Sequence, residues 1–223
     1  MTVVQQDFIL LFSHILNDAN GVLMSGELGL RHFLQQDQAL EVLIPRTQLH
    51  PVIERLQQLP TVSQLQHSSS YCYAEVHLQW QARPIHLLFL HKLAHRGFLL
   101  LDEQVVLRQR RILTNRLPVP AIEHLFEYLV LNNYLNHQGI GEATYGYFCE
   151  FHILVKEGLI EYFNQKYQTN FETLAQLTDF RDSNRLAIIK SLKSWPMNQL
   201  KNNIQLRWNH FLGNIRQARI FLG

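Results

Sequence analysis

The sequence predicts an α+β protein, a mixed sheet with flanking helices followed by a C-terminal helical bundle. Three observations carry this. Residues 71–80 (YCYAEVHLQW) alternate, with Cys72, Ala74, Val76, Leu78 and Trp80 on one face and Tyr73, Glu75, His77 and Gln79 on the other. Other short apolar runs before Pro120 are bounded by glycine or proline, as strands are. Beyond Pro120 the apolar residues recur at helical spacing instead. The expected domains are 1–117, α+β, and 118–223, helical.

Taken in order, residues 7–16 put Phe8, Leu11, Phe12 and Ile15 on one helix face. Asn20-Gly21 marks a turn. Residues 21–26 (GVLMSG) form a brief apolar strand between glycines, and 27–36 a short helix. Residues 40–44 (LEVLI) are a second strand with Glu41 inside it, and Pro45 stops it because proline cannot donate to the ladder. Thr47 is the expected N-cap of a helix reaching Leu59, with Leu49, Val52, Ile53 and Leu56 inward. A strand over 62–67, a turn over 67–70, the alternating strand and a further strand over 84–90 complete the sheet, the last two pairing as a hairpin. Helices are expected over 121–137, 143–167 with a kink near Gly158, 181–194 and 197–212.

Composition narrows the function classes. Of the 223 residues, 47% are hydrophobic, enough for a packed core. A net charge of +2 gives no strong field for nucleic acid, which is an unlikely partner. Two cysteines, Cys72 and Cys149, make no disulfide framework and fit a reducing cytoplasm. The N-terminal apolar patch lacks a basic leader, and no run of about 18 apolar residues spans a membrane. Walker, Gly-x-Gly-x-x-Gly and Gly-x-Ser-x-Gly elements are missing, against P-loop, Rossmann and α/β-hydrolase chemistry.

Several side chains are chemical candidates. Glu41 sits in an apolar strand, where a carboxylate needs a partner. Asp37 precedes that strand and is either a displaced acid or a cap. Glu75, His77 and His86 can meet across the hairpin, with Glu41 on a neighbouring strand. Two histidines and a carboxylate suit zinc, iron or manganese better than magnesium. His91 and His95 (HKLAH) would share a face if helical. The basic run Arg108, Arg110, Arg111 and Arg116 either holds an anion or coats a helix. Aromatic residues from Tyr145 to Tyr167 are core, an oligomer interface or a stacking platform.

The stretch VLMSGELGLRHFLQQDQALEVLI, followed by Arg96-Gly97-Phe98 and PVPAIEHL, resembles the polymerase-β-like nucleotidyltransferase fold. Within it, the stretch looks most like the small nucleotidyltransferase-like proteins of surface-polysaccharide gene clusters. That family pattern has Gly-Ser after the first strand, Asp-x-Asp in the second and a third Asp on a later strand, holding two metal ions that orient a nucleoside triphosphate. In this chain Ser25-Gly26 stands reversed at the Gly-Ser pair. Ala39 and Glu41 stand at the Asp-x-Asp acids, and His86 at the third acid.

The resemblance implies Glu41 and Asp37 as catalytic acids. It puts Ser25 and Gly26 at the nucleotide, and the basic run adds Arg108, Arg110 and Arg111 as candidate contacts to a nucleotide or anionic sugar. Glu41 and His86 at the acid positions, with Glu75 from the hairpin, are the expected metal ligands. Magnesium enters only if the chain is active. Three functions follow. One is a catalytically weakened nucleotidyltransferase-like protein binding a nucleotide, sugar or protein in surface-polysaccharide metabolism. The second is an active transferase with altered acid geometry. The third is a scaffold whose helical half carries a protein partner or a homo-oligomer interface.

Overall fold

The structure is a computed structural model, and it describes residues 3–24, 26, 28 and 39–198. It is an α+β chain with a mixed five-stranded sheet, two small sheets and a C-terminal helical part. Two compact units divide it. The first comprises Met1–Leu93 and Asp102–Leu125, the second Ala94–Leu101 and Phe126–Gly223. The first unit thus runs past 117, and a short segment from the middle of the chain belongs with the helices.

In the first unit, α1 (Val3–Asp18) leads through a left-handed Asn20 into β1 (Val22–Leu23). Next come β2 (Leu40–Leu43), a 3-10 turn (Arg46–Gln48) and α2 (Leu49–Gln57). Thr47 lies inside that turn, and no side chain caps α2, so the start is set by Pro45 and the 3-10 turn instead. Strands β3 (Val62–Ser69), β4 (Tyr73–Trp80) and β5 (Arg83–Leu90) follow. The expected turn at 67–70 is displaced to Ser70, whose Oγ accepts from the Tyr73 amide at 3.2 Å.

The sheet order is β1-β2-β5-β4-β3. β1 is antiparallel to β2, β2 is parallel to β5, and β5, β4 and β3 pair antiparallel. One face is apolar, as the alternation requires. Leu40, Val42, Ala74, Val76, Leu87 and Phe89 are fully enclosed there, packed with Phe8, Phe12 and Leu16 of α1 and with Val52, Ile53 and Leu56 of α2. Phe8 meets Trp80 edge-on at 5.3 Å between ring centroids. Helices therefore cover one face, and the polar residues of β4 and β5 occupy the other.

The rest of the first unit is α3 (Glu103–Arg108), capped by the Asp102 carboxylate, and the pair β8 (Arg111–Ile112) and β9 (Pro118–Val119). Strands β6 (Leu93–His95) and β7 (Phe98–Leu101) form a hairpin that falls mostly in the second unit. Arg96 and Gly97 both take positive φ at its turn, 48° and 82°. The Arg-Gly-aromatic segment is thus a tight reversal, in which glycine meets no Cβ penalty.

The second unit contains most of α4 (Ile122–Leu135), then α5 (Glu142–Cys149), α6 (Ile153–Tyr167), a 3-10 turn (Leu174–Leu177) and α7 (Asp182–Ser194). The single helix expected over 143–167 is two. The break falls at Phe151 and His152, where His152 Nδ1 accepts the Leu154 amide at 3.3 Å, and Gly158 lies inside α6. Its core is aromatic, with Phe126 edge-on to both Phe148 and Phe163 at 5.0 and 5.9 Å. The Asn198 side chain bridges β7, donating to the Leu99 carbonyl at 2.9 Å and accepting its amide at 2.8 Å. The helix expected over 27–36 lies outside the described residues except Leu28, which is buried. Of 197–212, only the end of a 3-10 turn (Pro196–Asn198) is described. No described helix is long and apolar enough to cross a membrane.

Candidate functional site

The polar face of the central sheet gathers the candidate residues of the first unit. Glu41 lies opposite Leu88 in the parallel β2–β5 pair, and Leu40 opposite Leu87. Directly paired residues share a face, so Glu41 and Leu88 stand together on the side away from α1 and α2. His86 precedes Leu88 by two residues on β5 and so shares this face with Glu41, while Ala39 lies just before β2. Glu41 and His86 are both half-buried.

Their chemistry does not suit magnesium. Magnesium takes a near-octahedral set of oxygens, usually with one or two carboxylates from the protein. Ala39 offers no ligand atom, His86 offers nitrogen, and Glu41 is the one carboxylate of the three. A two-ion magnesium centre does not fit these residues, and no reaction step is assigned to one.

The remaining candidates separate. Glu75, on β4, pairs with Leu88 from the other side, so Leu88 stands between Glu75 and Glu41. His77 pairs directly with His86, and their rings stack with centroids 4.2 Å apart and planes 16° from parallel. One ligand atom from each of Glu75, His77 and His86 lies within 4.8 Å of the other two, a group that does not include Glu41. Of the residues expected as metal ligands, Glu75 and His86 come together with His77, and Glu41 is not in that group. Burial, then the adjacent His77 imidazole, lowers the His86 pKa, while Glu75 pulls the other way. His86 is thereby held toward the neutral, ligand-competent form.

Gly26 has a φ of +55°, and a Cβ there would come within 3.1 Å of Leu125 Cδ2. Ser25 and Asp37 lie outside the described residues.

The arginines do not converge on one helix face. Arg108 ends α3 and donates to the Gln104 carbonyl at 3.3 Å. Arg110 donates to Asn20 Oδ1 at 3.1 Å, and Arg111, on β8, to the Pro120 carbonyl at 3.2 Å. His91 and His95 are not on a helix either. His91 follows β5 and is buried, which lowers its pKa, whereas His95 ends β6 with Nε2 at 3.0 Å from Asn136 Oδ1.

The second unit holds a cluster the sequence reading passes over. Glu127 is fully enclosed, accepts hydrogen bonds from Tyr162 at 3.0 Å and from Tyr167, and pairs with Lys166 at 2.6 Å. Lys166 also lies over the rings of Tyr162, Tyr167 and Trp195. A charge between Phe126 and Tyr128 on an apolar helix was the available signal, because a carboxylate is enclosed only when paired. Every acceptor oxygen of Glu127 is used, so the cluster holds α4 to α6 rather than presenting a free group.

No protein-family model, curated protein or solved structure matches the chain.

Proposed function

We propose that the chain is a nucleotidyltransferase-like binding protein. It holds a nucleotide or an anionic sugar nucleotide on the polar face of the sheet and does not carry out magnesium-dependent nucleotidyl transfer. One observation carries the reading. β2 and β5 are adjacent and parallel, and the pairing of Glu41 with Leu88 puts Glu41 on the face that His86, two residues before Leu88, also occupies. The antiparallel β1 and the positive-φ Gly26 support it further. Loss of two carboxylates from the three acid positions removes the ligands that two magnesium ions need and leaves a less negative surface. A polyphosphate then approaches without a metal to screen it. The resemblance sets such a ligand in surface-polysaccharide metabolism. The arginines stay outside this reading, since each is tied to a different element.

The test is calorimetric titration of a nucleoside triphosphate and a nucleotide sugar, with and without magnesium, against wild type and Ala39→Asp/His86→Asp. Wild type is expected to bind equally in both conditions. The double variant, with three carboxylates on the face, is expected to bind only when magnesium is present. No binding to the wild type, or binding by the variant that ignores magnesium, overturns the reading.

A further inference from the structure

A second constellation lies beside the acid positions and has a different chemistry. Glu75 and His77 are two residues apart on β4, so both side chains leave the sheet on one side. His86 stands directly across from His77 on β5. The strand pairing, and not a flexible loop, sets the spacing of these three groups. Their ligand atoms all lie within 4.8 Å of one another. Around a tetrahedral zinc with bonds of about 2.0–2.1 Å, ligand atoms sit roughly 3.3–3.5 Å apart. In the stacked pose the two ring planes are 16° apart and do not meet at a shared ion, so binding requires the exposed His77 imidazole to turn out of the stack toward His86 and Glu75.

His86 supplies an independent sign. Its Nε2 is enclosed and has no hydrogen-bond partner. Leaving an enclosed polar atom unsatisfied is unfavourable, and such atoms ask for a ligand, an ion or a water.

We infer that Glu75, His77 and His86 form a binding site for a divalent transition-metal ion, zinc foremost. Two imidazole nitrogens and one carboxylate oxygen are the donor set of zinc centres that keep a position open. The same set disfavours magnesium and calcium, which want oxygen throughout. With three protein ligands, a tetrahedral zinc retains one coordination position for water or for an oxygen of a bound anion. His86 belongs to both this site and the nucleotide reading, but Glu75 and His77 belong only to this one and zinc binding is measured with no nucleotide present, so the failure of either reading is distinguishable from the failure of the other.

The experiment titrates zinc, and cobalt as its spectroscopic substitute, into the full chain after chelator treatment, by calorimetry and by visible absorption. The sequence has 12 histidines, so a control is needed. The exposed His50–Glu54 pair, 3.3 Å apart, is the control site. Wild type and His50→Ala are expected to bind one equivalent with the same affinity and to give tetrahedral cobalt bands. His77→Ala, His86→Asn and Glu75→Gln are each expected to weaken binding by more than the roughly tenfold that loss of an outer-shell partner costs. His77 is exposed, so His77→Ala keeps the test valid even if His86→Asn does not fold. No stoichiometric binding by the wild type, or equal affinity in wild type and His77→Ala, overturns the inference.

Discussion

His77 and His86 are direct cross-strand partners whose rings stack at 4.2 Å. Because the strand period is two, this one pairing fixes which residues share the polar face. It places Glu75 beside Leu88 and, through the β2–β5 register, Glu41 beyond it. A slip of one residue would bury the histidines and expose Val76 and Leu87.

The packed face governs stability of the first unit. Phe89 is fully enclosed and meets Phe12 edge-on at 6.4 Å. Phe89→Ala is expected to cost about 3–5 kcal/mol, through lost burial and the cavity left behind. Denaturant titration reads this as a lower midpoint. A change within about 0.5 kcal/mol, the range of surface substitutions, would remove Phe89 from the core.

Much of this face was legible in the sequence, and the reasons are local. The alternation reports a half-buried strand wherever it is paired, so Ala74, Val76, Leu78 and Trp80 are read directly as the inward set of β4, while Cys72 precedes the strand and is half-buried. The pairing of His77 with His86 comes from a two-residue connection, Gln81-Ala82, one residue shorter than the one expected over 81–83, which would have set His77 against Leu87. Other features depend on distant partners. The break before α6 comes from a His152 cap in a run whose apolar content continues through it, so composition pointed to Gly158 instead. HKLAH has helical spacing, but the strands on either side claim it. Glu75, His77 and His86 meet across the hairpin as the alternation suggests, and Glu41 stays outside that group because Leu88 stands between it and Glu75.

Glu127 and Lys166 make the second unit sensitive to a single charge. Glu127→Ala leaves Lys166 and the Tyr162 and Tyr167 hydroxyls without their shared acceptor. Breaking an enclosed pair from one side costs about 3–5 kcal/mol. Thermal unfolding monitored at the aromatic signal is expected to show that loss. An unchanged transition would mean that the cluster contributes nothing to the unit.

Alkaline pH is expected to destabilise the same unit. Burial raises the Tyr134 pKa from 10.0 to about 12, and burial together with Glu127 raises that of Tyr167. In the unfolded chain both phenols ionise near 10, while in the folded chain they keep their protons. The unfolded state then binds fewer protons, so stability is full below about pH 10 and falls as pH rises toward 12. Tyr134→Phe should flatten part of that decline. Stability that rises between pH 10 and 12 would contradict the assignment.

Gly139 is required by a backbone approach. A Cβ there would lie 1.9 Å from the Thr178 carbonyl oxygen, so Gly139→Ala must move one of two chain segments. The expected cost is about 1–3 kcal/mol, as for overpacked sites. Thermal denaturation of this variant gives the answer, and a melting temperature equal to that of wild type would show that the loop yields freely.

The most direct measurement of the central claim follows one labelled nucleoside triphosphate with the wild-type chain and magnesium, scoring retained intact nucleotide against released pyrophosphate. The account predicts that the nucleotide is retained on the protein and that pyrophosphate release does not exceed the protein-free rate. Sustained pyrophosphate release over many turnovers, or no retention of the nucleotide, would contradict it.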